Sequence, residues 1–168
     1  ASLPLTNTYR SVNNYQVLDA YGIGDGFAML RYQLVNTRCD TVMPFFVHRL
    51  LVGSGLKAPL GRNNLRVDDE LVSPDVQLGT GSWDALASLE YSVRHGRTGG
   101  GVSALARFNS ANATGYQLGH GLSTTAEVFH RIGNDTLSFA PAIGGYAEWM
   151  DHDHVNGVPD HGTGGTTV

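Results

Sequence analysis

The segment Trp83 to His95 alternates in chemistry with a single exception. Trp83, Ala85, Ala87, Leu89, Tyr91 and Val93 fall on one side, and Asp84, Leu86, Ser88, Glu90, Ser92 and Arg94 on the other, with Leu86 the one misplaced apolar residue. Side chains of a strand point to opposite faces with period two, whereas a helix repeats near 3.6 residues, so only a strand sorts this segment into two surfaces. Its length exceeds the roughly five or six residues usual for strands of water-soluble sheets. It reaches the roughly nine to eleven residues that a tilted strand needs to cross a bilayer.

The same period continues along the chain. Val102, Ala104, Ala106 and Phe108 oppose Ser103, Leu105, Arg107 and Asn109, after a turn read over Gly96-Arg97-Thr98-Gly99-Gly100-Gly101. Tyr116 to Ile132 alternates more loosely, and an Asn134-Asp135 turn leads into Thr136 to Met150, where Pro141 removes a ladder donor and predicts a bulge or bend. Earlier, Phe27 to Val35 alternates, and Thr41 to Leu56 is an apolar run of uncertain register. Residues 63–77 and 151–165, rich in Asn, Asp, His, Pro and Gly, read as long polar loops. The fold class is therefore all-β: an antiparallel up-and-down β-barrel of long hairpins with seven to eight strands, in a single domain over residues 1–168. Short turns at one end and long loops at the other fit an outer-membrane barrel. Soluble up-and-down barrels share the arrangement.

Composition narrows what such a sheet faces. Charged residues make up 15% of the 168, against about 25% in an average soluble domain. Part of the surface is thus expected to meet lipid or a partner chain. A net charge of −4 leaves no basic stripe to displace counterions from phosphates, which argues against nucleic acid as a partner. Lys57 is the sole lysine and Cys39 the sole cysteine, so neither a polybasic anchor nor a multi-cysteine zinc site can be drawn. No run of about 20 apolar residues occurs, which excludes a transmembrane helix. No charged and then apolar leader opens the chain at Ala1-Ser2-Leu3-Pro4.

Several glycine-bearing phrases recur in order. They are Tyr21-Gly22-Ile23-Gly24-Asp25, Gly55-Leu56-Lys57-Ala58-Pro59-Leu60-Gly61, and Gln77-Leu78-Gly79-Thr80-Gly81-Ser82-Trp83-Asp84. Later come Gly115-Tyr116-Gln117-Leu118-Gly119, Glu148-Trp149, and Thr163-Gly164-Gly165-Thr166. Together they resemble a family of Gram-negative outer-membrane β-barrel transporters associated with phenol meta-cleavage pathways. That family's phrases run Gly-x-Gly-Asp, Lys-x-Pro-Thr-Gly and Gly-Thr-Gly-Ser-x-Asp; the second departs here, with Leu60 where the family has Thr. The resemblance covers roughly residues 20–168 and implies a transport function in the outer membrane. Family members carry more strands, so it also implies a fragment of a longer barrel. Glycine in these phrases marks tight turns and close backbone approach, not catalysis.

Candidate chemistry is sparse. No nucleophile elbow or phosphate loop occurs, and Gly22-x-Gly24-x-Gly26 lacks the strand-then-helix setting of a dinucleotide site. Asp84 and Glu90 share a face, but six residues of strand separate them by about 20 Å, too far for an acid and base pair. The reading is therefore not an enzyme, with no cofactor. His152, His154 and His161, among Asp151, Asp153 and Asp160, have the chemistry of a zinc or copper site, while their Asn156-Gly157-Val158-Pro159 setting reads as a solvated loop. In a barrel the polar parity lines the lumen: Asp84, Glu90, Arg94, Arg107, Glu127, Arg131 and Glu148. Mixed signs there favour polar or zwitterionic solutes, or else pair and plug the interior. Trp83, Tyr91, Tyr116 and Trp149 fall near strand ends, where amphipathic rings suit a membrane interface. The expectation is a channel or transporter-type barrel in the outer membrane, its partners a lipid bilayer and a small solute. The alternative is a secreted or periplasmic soluble β-protein that binds a small ligand or self-assembles, recognisable by apolar parity turned inward.

Overall fold

A computed structural model describes residues 4–12, 15–38, 45–67, 70–71, 77–134 and 136–168. Strands account for every regular element among them. In chain order these are β1 (Leu5–Val12), β2 (Tyr15–Ile23), β3 (Gly26–Asn36), β4 (Val47–Ala58), β5 (Arg66–Val67), β6 (Glu70–Leu71), β7 (Asp84–His95) and β8 (Thr98–Phe108). There follow β9 (Tyr116–Gln117), β10 (Gly121–His130), β11 (Ile132–Gly133), β12 (Ser138–Phe139), β13 (Ala142–Met150), β14 (Asp153–Val155), β15 (Val158–Asp160) and β16 (Gly165–Thr167).

The body of the fold is one seven-stranded sheet in the order β16-β13-β10-β8-β7-β4-β3, antiparallel at every pairing. The long strands are neighbours in chain order, which is the up-and-down arrangement. β1 and β2 pair with each other as a separate hairpin, β5–β6 and β11–β12 form small pairs within their links, and β9 of the 109–120 link joins the β14–β15 hairpin of the 151–164 link in a three-stranded sheet. Among the described residues the main sheet does not close: β3 and β16 are its edges. The expected barrel is thus an open sheet of barrel-like hairpins.

Several boundaries differ from the pattern reading for local reasons. The β7–β8 turn is only Gly96-Arg97, with Gly96 at φ 56°. Gly99, Gly100 and Gly101 instead belong to β8 and pair with Arg94, Val93 and Ser92. A glycine run has no facial chemistry to report, so it reads as a turn although its backbone completes a ladder. Tyr116 to Ile132 is not one strand, because Gly119 lies directly under the Asp151 backbone and the chain steps there from β9 to β10. Pro141 separates β12 from β13, as its missing donor requires. The loop over residues 151–165 holds the β14–β15 hairpin with Asn156 at positive φ. The 63–77 loop contains the β5–β6 pair, and residues 68–69 and 72–76 lie outside the described ones. So do residues 41–44, the first part of the apolar run that becomes β4.

The links sort by length. Residues 59–83, 109–120 and 151–164 join strands at one end, the loop end, and residues 37–46, 96–97 and 131–141 at the other, the hairpin end. No conventional core lies between layers: among the described residues Leu78 is the single buried hydrophobic side chain.

Candidate functional site

Registers across the sheet give each strand residue a face. On one face stand Arg31, Arg49, Lys57, Asp84, Glu90, Arg94, Arg107, Glu127 and Glu148. These are all the charged residues of β3, β4, β7, β8, β10 and β13. The opposite face carries none. Its central row runs Tyr32, Val52, Leu89, Ala104, Thr124 and Ala147 from β3 to β13, and it leaves Leu30 82%, Val102 54%, Val128 56% and Ile143 80% exposed. In a water-soluble sandwich the apolar parity packs into a core; here, among the described residues, it is left uncovered.

The charged face is concave. Phe27, Met29, Arg31, Leu51, Leu86, Ser88, Glu90, Leu105, Arg107, Ser123 and Thr125, from five strands, line a cleft of about 530 Å³. Arg31 pairs with Glu90 at 3.7 Å across β4, and Arg107 with Glu148 at 2.5 Å across β10. Each reaches over a glycine of the strand between, Gly53 and Gly121. Glu148 also accepts from Ser123 and Tyr146. An apolar strip of Phe27, Met29, Leu51, Leu86 and Leu105 lies among the charges, so the cleft suits solutes with an apolar body as well as polar groups.

The three glycine phrases of the first half converge at the loop end. Asp25, at the β2–β3 junction, accepts from the Thr80 N–H (2.9 Å), the Thr80 hydroxyl (2.8 Å) and the Gly61 N–H (3.0 Å). Lys57, the last residue but one of β4, donates to Thr80 Oγ1 at 2.5 Å, lies 3.2 Å from Asp25 and pairs with Asp84. Asp84 is 2% exposed and accepts from Ser82 Oγ and Ser110 N–H. Asn112 donates to the Thr80 carbonyl, which adds the 109–120 link to the cluster. Gly61 and Gly79 are in backbone contact, and a Cβ on either would come within 2.7 Å of the other's Cα. Burial alone would raise the Asp25 carboxyl, but the hydrogen bonds from Thr80 and Gly61 and the Lys57 charge outweigh it and hold it below the ordinary carboxylate value.

Six of the seven sequence-chosen lumen residues, Asp84, Glu90, Arg94, Arg107, Glu127 and Glu148, share the concave face. Arg131 does not lie on the sheet; it follows β10, and its N–H donates to the Arg97 carbonyl. Arg31, Arg49 and Lys57 belong to the set and were missed. Their signal was the parity of β3 and β4, obscured in β4 by apolar residues on both faces. Of the aromatics, Trp83 and Trp149 are 62% and 48% exposed at the loop end, near Phe108, and Tyr91 hydrogen-bonds His48 on the outer face. Tyr116 is placed differently: it is half-buried, with its hydroxyl on Asp153. At the hairpin end Phe45, Phe46 and His95 stack together.

Several polar groups of the histidine-rich link are paired within the fold, while His154 Nδ1 is buried with no hydrogen bond among the described residues. Asp153 accepts from Tyr116 and from the Gly119 N–H, His152 Nδ1 sits 2.5 Å from the Thr163 carbonyl, and His152 and His161 pack edge to face. Among the described residues no three His, Cys, Asp or Glu side chains are grouped to hold a metal ion, so His152, His154 and His161 are not brought together as a ligand set. No protein-family model matches the chain, and neither a curated protein nor a solved structure matches it.

Proposed function

We propose that the chain forms part of a bacterial outer-membrane β-barrel that passes or binds small solutes without covalent chemistry. One observation carries the reading: every charge on the six long strands lies on the concave face, and the outer face has none. In hydrocarbon a charged strand residue at mid-depth costs about 2–4 kcal/mol, so lipid contact demands that sorting, and water contact does not. The outer face has a matching height. From the Ala85–Phe108 row to the His95–Thr98 row is ten residues, about 34 Å of strand, which at a tilt of about 40° spans roughly the 25 Å apolar band of such barrels. Aromatic rings stand at both rims, Trp83, Phe108 and Trp149 at one and Phe45 and Phe46 at the other. The order of glycine phrases adds the resemblance to outer-membrane transporters.

Hydrocarbon does not tolerate unpaired strand edges. Function in a bilayer on this reading requires the β3 and β13–β16 edges to be paired by further strands, whether from the β1–β2 hairpin, from a longer chain or from a second copy. The test is partition between buffer and detergent micelles, with circular dichroism and a heat-dependent gel shift on the same sample. A β-spectrum formed in micelles and a shift on boiling are the expected results. A monodisperse β-fold in plain buffer would overturn the proposal.

A further inference from the structure

The hairpin end of the concave face holds a second cavity, apart from the main cleft. It is about 280 Å³ and is lined by Arg94, Arg97, Arg131, Phe129, Gly133 and Asn134, with Gly96 at its rim. Backbone geometry fixes the corner. Arg94 is the last but one residue of β7, Arg97 is in the two-residue turn, and the Arg131 N–H donates to the Arg97 carbonyl at 2.8 Å. The Thr98 hydroxyl lies 2.8 Å from His130 Nδ1 and ties the same turn to the end of β10. Phe129 lies over Gly99, where a Cβ would meet its ring at 2.5 Å, and forms an apolar floor beneath the three guanidinium-bearing residues.

Charge along the strands reinforces the corner. Arg49, Arg94, Arg97 and Arg131 lie toward the hairpin end with Glu127 as the strand acid nearest them, whereas Asp25, Asp84, Glu148, Asp151, Asp153 and Asp160 lie toward the loop end, where Lys57, Arg62 and Arg107 accompany them. A cleft with one sign at its mouth concentrates solutes of the opposite sign, by about tenfold or more when its walls exclude water. Arginine is the side chain best suited to hold an oxyanion, because its planar fork donates two parallel hydrogen bonds to a carboxylate or phosphate.

We infer that this corner is an anion-binding site at one mouth of the channel, taking solutes that bear a carboxylate or a phosphate. The inference rests on the channel reading and adds to it the class of solute. Arg94 faces the lumen from the sheet, Arg97 and Arg131 close over it from the turn and the following link, and Phe129 receives the apolar part of the solute.

The test is reversal potential in planar bilayers of neutral phosphatidylcholine, with the full chain under a potassium chloride gradient. Sodium acetate and inorganic phosphate are then added in separate arms as competing anions. The native protein should favour chloride over potassium, and one or both oxyanions should reduce the chloride current. Arg94→Ala, Arg97→Ala and Arg131→Ala combined should lower the chloride-to-potassium permeability ratio on the order of tenfold and abolish block. Because the triple variant can fail to fold, Arg97→Gln alone, in an exposed turn, should shift the potential in the same direction by a smaller amount. Absence of any conductance would remove the channel reading and the inference together. Conductance with no anion preference, or with a preference that survives the arginine substitutions, would overturn the inference and leave the channel standing.

Discussion

Arg107 crosses β10 above Gly121 to place its guanidinium 2.5 Å from Glu148. A Cβ at residue 121 would meet that guanidinium at 3.2 Å, so the glycine is the opening through which two strands that do not touch are joined. The pair is partly solvated, so its contribution is small. A cycle of Arg107→Ala and Glu148→Ala should return a small coupling in urea unfolding from micelles, read by gel shift. In a Gly121→Val background the coupling should vanish. Full coupling there would mean that the guanidinium does not need the gap.

Lys57 holds two carboxylates from distant parts of the chain, Asp25 and Asp84. Removing one partner of a buried ion cluster strands the charge that remains, at about 3–5 kcal/mol, whereas replacing the whole set by neutral groups is often tolerated. Lys57→Met should therefore cost several kcal/mol, and adding Asp25→Asn and Asp84→Asn should restore much of the loss. If the triple variant is as unstable as the single one, the cluster acts through shape and not charge.

Acid should loosen the same corner. The unfolded Asp25 carboxyl titrates near its ordinary value of 3.8, and in the folded protein it lies lower. The ionised form thus stabilises the fold, fully so above the ordinary value, and that contribution is lost as pH falls through the lower folded value. The native protein should lose stability below about pH 4 more steeply than Asp25→Asn. Parallel acid profiles for the two proteins would assign the sensitivity to other carboxylates.

What could be read from sequence depended on whether chemistry differs between alternate residues. β7 was legible because Ala85, Ala87 and Leu89 oppose Ser88 and Glu90, and its ends fell within a residue of the structure. β4 was harder, since Leu50, Leu51 and Val52 are apolar on both faces, and Arg49 and Lys57 went unassigned to the lumen for that reason. The β5–β6 and β14–β15 pairs are too short to show any period. The phrases holding Asp25, Lys57 and Thr80 stood out by their glycines, but nothing in their order says that Thr80 donates to Asp25 across 55 positions of chain. Closure is a property of edges, and the sheet's open edges at β3 and β16 have no counterpart in residue alternation.

Val102 and Ser103 are neighbours in β8 with opposite fates on the membrane reading. Val102 pairs with Tyr91 and Ala126 on the charge-free outer face, 54% exposed, while Ser103 stands between Glu90 and Thr125 on the concave face. Were the outer face in water, arginine at residue 102 would replace an exposed valine at little cost, within about 0.5 kcal/mol. Facing lipid near mid-depth, Val102→Arg should cost about 2–4 kcal/mol, and Ser103→Arg far less because the concave face is polar and wet. Folding free energies of both variants in phosphatidylcholine vesicles decide between the two solvents. A large penalty at 102 alone is expected, whereas equal small effects at both positions would place water on the outer face and return the sheet to the soluble class.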